Sequence, residues 1–341
     1  MAGNRCVVYM GPGNVEIHDI GFPELALPEQ NRKCEHGVIL RVRPAKSAAK
    51  YASVWTAEGS PLAAWTSKQA KLLQGYLGER GQRPPGLVVR YAMRYGNPSV
   101  TSVLDQLKAA NATRILVLPL YPQYAAATTA SVNDAVMAWM QRQRRQPELR
   151  FVNHYHDDTG YLEALAQRVR SQWQSHGRGE RLVLSFHGVP ERSLLLGDPY
   201  HCECHVTARL LGERLGLAKG ELVVTFQSRF GKAKWLTPYT EPTLVELARQ
   251  GIKRVDVMCP GFTADCLETL EEIDQEARAA YLDAGGDTFH YIPCLNDQHE
   301  WLAALAAIAL RNLQGWPSMT EAAGGALAAQ RTRALGMGAK D

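Results

Sequence analysis

Short apolar, β-favouring runs alternate with helix-periodic ones along most of the chain. Runs rich in Val, Leu, Ile and Phe predict strands at 87–92, 114–118, 149–153, 181–186, 222–226, 254–258 and 288–292. Between them, apolar residues return at three- and four-residue steps. This predicts helices at 99–110, 131–143, 161–173, 204–215, 242–250, 267–280 and 298–313. Such alternation favours parallel sheets with helices on both faces. The pattern also repeats itself. Val88-Val-Arg-Tyr-Ala-Met-Arg94-Tyr-Gly96 matches Val223-Val-Thr-Phe-Gln-Ser-Arg229-Phe-Gly231 position for position, and each copy leads into a helix and then Arg114-Ile-Leu-Val or Arg254-Val-Asp-Val. A repeated supersecondary unit points to two copies of one architecture. The expected fold is α/β, with two similar doubly wound parallel-sheet lobes facing a central cleft.

Composition changes this picture little. With 341 residues the chain is long for one core and fits two lobes; 45% hydrophobic and 21% charged residues are ordinary for a globular protein. A net charge of +4 permits peripheral contact with anionic lipid but does not demand it. No apolar run approaches the roughly 20 residues that cross a bilayer, and no basic start leads into an apolar signal core. Seven cysteines without a disulfide-like pattern suit a reducing cytoplasm, which is the expected location. After Trp316 the chain loses any apolar stripe, so 316–341 is expected to be a disordered tail.

Two features bring chemistry. The run Arg181-Leu-Val-Leu-Ser-Phe-His187-Gly-Val-Pro190 ends a strand on a histidine, with Gly and Pro preventing its continuation. Ligands of open α/β sheets bind beyond the carboxyl ends of the strands, where His187 falls. In Asp265-Cys-Leu-Glu268-Thr-Leu-Glu271-Glu272-Ile-Asp274-Gln-Glu276, helical spacing puts Asp265, Glu268, Glu272 and Glu276 on one stripe. Imidazole and carboxylates suit proton acceptance and divalent cations. Taken singly, a structural histidine and a solvated acidic face are the commoner explanations. Cys202-Glu-Cys204, flanked by His201 and His205, lacks the spacing of a zinc knot and is read as local structure.

Ser185-Phe-His-Gly-Val-Pro190, Gly197-Asp-Pro-Tyr200, Thr225-Phe-Gln-Ser-Arg229-Phe-Gly231, Trp235-Leu-Thr-Pro-Tyr239 and Pro260-Gly-Phe-Thr-Ala-Asp265-Cys-Leu-Glu268-Thr-Leu270 resemble the ferrochelatases in order and spacing. So do Arg43-Pro-Ala-Lys46, Gly59-Ser-Pro-Leu62, Ala92-Met-Arg94-Tyr-Gly96 and Leu118-Pro-Leu-Tyr-Pro-Gln-Tyr124. The resemblance covers about 37–315. It implies an enzyme of haem biosynthesis that inserts Fe(II) into protoporphyrin IX and releases two protons. It also implies His187 and Glu268 as catalytic and metal-contacting residues. Arg43, Tyr51, Ser60, Arg94, Tyr95, Tyr124 and Trp235 would bind the porphyrin, and Glu272 and Asp274 would form an acidic relay. Cys266 stands where animal relatives have a second histidine. Iron is then a substrate, no tightly bound cofactor is expected, and the cysteines do not complete an iron–sulfur set. The first lobe would comprise 43–165 with 295–315, and the second 166–294.

The start departs from this pattern. Gly3-Asn-Arg-Cys-Val-Val-Tyr-Met-Gly-Pro-Gly-Asn-Val-Glu-Ile17, with Glu35-His-Gly-Val-Ile-Leu40, is similar to the opening of a glutathione-independent, zinc- and NAD-dependent formaldehyde dehydrogenase. Two strands around a Gly-Pro-Gly turn are expected there, and 1–42 reads as a foreign segment joined within 36–42. It holds no zinc-ligand cluster and no nucleotide-binding glycine loop, so no dehydrogenase activity follows. Val7-Val-Tyr-Met-Gly11 is apolar enough to fill the vacant strand slot of the first lobe. A catalytically impaired ferrochelatase, a porphyrin- or metal-binding module, and a cobalt or nickel chelatase are the competing functions.

Overall fold

The computed structural model describes residues 4–11 and 14–20 as backbone, and 44–79, 86–229, 231–316 and 321–340. The chain opens with β1 (Asn4–Gly11) and β2 (Asn14–Ile20), followed by helices α1 (Pro44–Val54), α2 (Pro61–Glu79) and α3 (Val100–Ala109). Then come β3 (Arg114–Val117), α4 (Ser131–Met140), β4 (Glu148–Phe151) and α5 (Thr159–His176). Next are β5 (Arg181–His187), α6 (Glu191–Leu195), α7 (Tyr200–Leu215), β6 (Leu222–Gln227), α8 (Thr240–Arg249) and β7 (Arg254–Met258). The last elements are α9 (Leu267–Leu270), α10 (Arg278–Asp283), β8 (Thr288–Ile292), α11 (His299–Leu313) and α12 (Glu321–Gly336).

Two parallel sheets carry the fold. One is β3–β4, and the other has the order β6-β5-β7-β8. Strand β5 shows why both faces must be covered. Leu182, Leu184 and Phe186 enter one core with Phe226, Tyr161 and Trp301, whereas Val183 enters another with Val255, Val257, Tyr281 and Phe289. Alternate side chains of a strand point to opposite faces, so apolar residues directed to both faces need a layer on each side. A third cluster, Leu104, Ile115, Val136 and Trp139, joins α3, β3 and α4.

Helix α5 runs unbroken through the boundary expected at 165/166 and packs on α11, on α7 and beside β8. It therefore belongs to both lobes. Its start is held by Asp158, whose carboxylate accepts the backbone N–H of Gly160 and Tyr161 at 2.9 and 3.0 Å. Gly160 is needed for the packing: a Cβ there would lie 2.9 Å from Ala304 Cβ of α11. Beyond this contact Trp301 stacks on Tyr155 and meets Tyr161 edge-on, at ring distances of 6.0 and 6.1 Å.

Three sequence expectations need correction. Segment 87–92 forms no ladder among the described residues; Val89 N–H instead donates to Gln74 Oε1 at 2.7 Å. The internal echo supplies the reason. In the second lobe, the matching strand β6 pairs with β5, and among the described residues the first lobe has no counterpart of β5. The segment Val7–Gly11 does not fill that slot, because β1 pairs antiparallel with β2 in a separate hairpin lying against α1. The hairpin around 11–14 is otherwise as the sequence suggests. Finally, 321–336 is the helix α12 rather than a disordered tail. Its alanines favour helix without an apolar stripe, and most of its described side chains are exposed.

Trp301 is fully buried, so Trp301→Ala should cost about 3–5 kcal/mol through lost burial and the cavity left behind. Denaturant unfolding of the variant checks this; a loss below about 1 kcal/mol would contradict the packing described, since ordinary surface substitutions stay within that range.

Candidate functional site

The carboxyl end of β5 delivers His187, half-buried, opposite Gln227 of β6 in the parallel register. Its Nδ1 lies 2.6 Å from the carbonyl oxygen of Gly188. A carbonyl can only accept, so Nδ1 carries the proton and Nε2 of the neutral ring keeps its lone pair. Gly188 is required at the next position. A Cβ there would come within 2.9 Å of the Gln227 and Ser228 carbonyl oxygens and 3.2 Å of the Trp235 ring. Trp235 reaches this position because 234–236 runs beside 189–191, bonded through Leu236 N–H to Val189 and Glu191 N–H to Lys234.

Gln227 links the strand end to the acidic segment. Its amide donates to the Glu268 carbonyl oxygen at 2.7 Å, while its Oε1 accepts from Ser185 Oγ at 2.8 Å. The loop before Glu268 is held from inside by Asp265. This buried carboxylate accepts from Tyr291 Oη and Asn296 Nδ2 at 2.6 Å and from Cys294 N–H at 3.1 Å, while Asn296 Oδ1 accepts Asp265 N–H at 2.9 Å. Cys266 then caps the four-residue α9 together with Thr269. After α9 the chain widens into a π-helical turn, Glu272–Ala277, with Glu276 N–H bonding back to the Glu271 carbonyl.

This geometry breaks up the acidic stripe that α-helical spacing suggested. Asp265 faces the interior and is not on it. Glu272 accepts from Ser228 N–H at 2.8 Å and Ser228 Oγ at 2.5 Å, holding Ser228 in the left-handed region at φ 56°. Asp274 turns to Arg278. Glu271 and Glu276 share Lys50 of α1 at 2.9 and 2.7 Å. The π-turn adds a residue per turn, so Glu271 pairs with Glu276 and not with the position four residues on.

Glu268 stands in an aromatic setting. Burial, and then the charge of Glu268, push the Tyr51 hydroxyl up. The Tyr121 hydroxyl is raised by burial and then by Tyr95, with smaller contributions from Glu268 and Cys266 and an opposing one from Arg94. Glu268 thus acts on Tyr51, Tyr121 and Cys266, while Arg94 and Tyr95 act on Tyr121. Burial, and then Glu268, push the Cys266 thiol well up, so at neutral pH it is a neutral thiol.

The remaining expected residues are more scattered. Arg94 donates through Nε to the carbonyl and hydroxyl oxygens of Ser131 at 2.9 and 2.7 Å and lies over the exposed Tyr95 ring at 4.6 Å. Ser60 accepts Ala64 N–H at the start of α2. Tyr124 bonds through its backbone N–H to Glu203. Arg43 lies outside the described residues. Tyr121 and Gln227 were not singled out from the sequence, although both lie within motifs that carry the resemblance. Cys202 is exposed and Cys204 buried, with the His201 and His205 rings 4.5 Å apart beside Phe226.

The ferrochelatase family model matches residues 22–313. The chain belongs to the ferrochelatase family. It is 73% identical to the ferrochelatase of Methylibium petroleiphilum over 305 residues, which are 89% of this chain and 83% of that protein. It is 66% identical to that of a Polaromonas species over 304 residues, 89% of this chain and 82% of that protein. At such identities the function is that of a ferrochelatase, a lyase of haem biosynthesis. Among solved structures, SirB from Bacillus subtilis shares the chelatase-like α/β fold with a TM-score of 0.54, covering 75% of this chain and 93% of that one at 16% identity. The family match begins at residue 22, inside the segment expected to be foreign.

Proposed function

We propose that the chain inserts Fe(II) into protoporphyrin IX with His187 and Glu268 on opposite sides of the reacting ring. A planar porphyrin must lose two pyrrole protons and expose its nitrogen lone pairs to the metal. The observation that carries the reading is the tether through Gln227. It joins the strand end holding His187, with Nδ1 protonated, to the backbone of Glu268. His187 accepts a pyrrole proton at Nε2, and Glu268 meets the partly dehydrated cation. Trp235 and Tyr51 offer aromatic faces to the macrocycle, and Arg43 and Arg94 offer guanidinium groups to its propionates. Glu272 carries protons outward from Glu268, and Asp274 stands further along the same segment. Iron is the substrate, and neither a bound cofactor nor an iron–sulfur cluster takes part. A cytoplasmic location, with peripheral contact to a membrane, is consistent with the described residues, in which no helix is long and apolar enough to cross one.

His187→Ala should abolish insertion in a folded protein. Glu268→Gln should lower turnover at least about 100-fold, as expected for a group acting in general acid–base or metal delivery, while porphyrin affinity stays within about threefold. Insertion assays with Fe(II) or Zn(II), set against fluorescence titration with the porphyrin, separate the two effects. A Glu268→Gln variant that loses only porphyrin affinity would overturn the assignment.

A second reading has its own observation: the antiparallel hairpin β1–β2 stands outside the parallel sheets. On this reading residues 1–42 derive from a formaldehyde dehydrogenase-like start and the porphyrin cleft lacks one wall. An incomplete wall leaves the macrocycle wet and weakens both apolar and electrostatic contacts. Replacing 1–36 with the start of a related ferrochelatase should then raise both porphyrin affinity and insertion rate. Equal values for the two proteins would show that the present start is an adequate substitute.

A further inference from the structure

The strongest chemistry outside the insertion site lies where β4 runs into α5. In Asn153-His-Tyr-His-Asp157 the chain has left β4 and turns at 156–157, which brings the two histidine rings 5.2 Å apart while Tyr155 turns into the core. Both meet one carboxylate, Glu203, in the first turn of α7. His154 Nδ1 lies 2.6 Å from Glu203 Oε1, and His156 Nδ1 lies 3.3 Å from Oε2. One ligand atom from each of the three lies within 4.8 Å of the others. In a tetrahedral site with bonds of about 2.0–2.1 Å, neighbouring donors stand roughly 3.3 Å apart, a spacing that falls within this cluster's 4.8 Å span.

His154 and Glu203 are hydrogen-bonded, whereas His156 meets the same carboxylate only as a looser ion-pair contact. Its Nδ1 is buried and makes no hydrogen bond among the described residues, although Glu203 Oε2 is 3.3 Å away. A buried polar atom without a hydrogen bond carries a desolvation cost that structures ordinarily avoid. A cation shared with the carboxylate satisfies it. The surroundings are also rigid. Thr207 Oγ1 of α7 donates to the His156 carbonyl oxygen at 2.8 Å, and Tyr155 N–H donates to the Pro122 carbonyl oxygen at 2.9 Å. Glu203 Oε2 in turn accepts Tyr124 N–H at 2.7 Å. The carboxylate and the backbone carrying both rings are thus held before any ligand arrives.

We propose that His154, His156 and Glu203 form a second divalent-cation site, separate from His187 and Glu268. Two imidazoles and one carboxylate suit Zn(II), Co(II) or Fe(II) and disfavour Mg(II) or Ca(II), which take all-oxygen sets. For binding, each imidazole presents Nδ1 as a lone pair and carries its proton on Nε2. The side chain of His154 is 54% exposed, which leaves room for water to complete the coordination. The site shares Glu203 with the backbone of Tyr124 and so adjoins the loop proposed to line the porphyrin pocket.

Equilibrium dialysis of the full chain against Co(II), with metal quantified and the visible d–d spectrum recorded, tests this. Wild type should hold one equivalent more than the His154→Ala/His156→Ala variant, and His187→Ala should retain that equivalent. His154→Ala alone removes a half-exposed ring and should keep the fold while weakening this equivalent at least about tenfold, the scale on which metal-site contacts act. Unchanged stoichiometry and affinity in a folded His154→Ala protein would overturn the proposal. Loss of the same equivalent in His187→Ala would also overturn it, because the cation would then belong to the insertion site.

Discussion

The buried carboxylate of Asp265 is the constraint on which the acidic wall of the site depends. An isolated charge in the interior costs several kcal/mol, and such groups persist where donors surround them. Here Tyr291, Asn296 and the Cys294 backbone supply those donors. All three come from the end of β8 and the turn into α11. The loop leading to Glu268 is therefore tied to the far edge of the second sheet, while Gln227 ties the residue after that loop to β6. A carboxylate on a four-residue helix such as α9 has a support with little stability of its own. Its position is borrowed from two strands.

Neutral and charged anchors of the same kind recur. Asp256 of β7 accepts from Trp173 Nε1, Gly179 N–H and His290 Nδ1, and Glu203 receives Tyr124 N–H and His154. Gln69 of α2 donates to the Thr263 and Asn296 carbonyl oxygens at 2.8 and 2.7 Å. That last contact joins a first-lobe helix to the loop held by Asp265. The segment that carries Glu268 is thus fixed from both lobes.

Much of this was legible in the chain. The run into His187 stood out because apolar residues meet Gly and Pro there, and the internal echo pointed to two copies of one architecture. Other features depend on partners remote in sequence. Counting positions put Asp265 on a surface stripe, because helical spacing cannot reveal that Tyr291 and Asn296 draw the carboxylate inward. The π-turn that pairs Glu271 with Glu276 leaves no mark on the apolar period. His154 and His156 are close in the chain, but their significance depends on Glu203 from another helix. The strand expected at 87–92 is a related case: an apolar run becomes a strand only beside a neighbour that receives its backbone bonds, and among the described residues it has none.

The account holds that Glu268 acts from a position set by Asp265, and Asp265→Asn tests this most directly. The substitution keeps the shape but removes the charge that gathers Tyr291, Asn296 and Cys294 N–H, so the loop relaxes. Insertion rate and porphyrin affinity should be measured together on the folded variant. A displacement of about 1 Å at a reacting group costs on the order of 100-fold in rate, so turnover should fall by about that much while porphyrin affinity changes by less than about threefold. A folded Asp265→Asn protein that turns over like wild type would contradict the account.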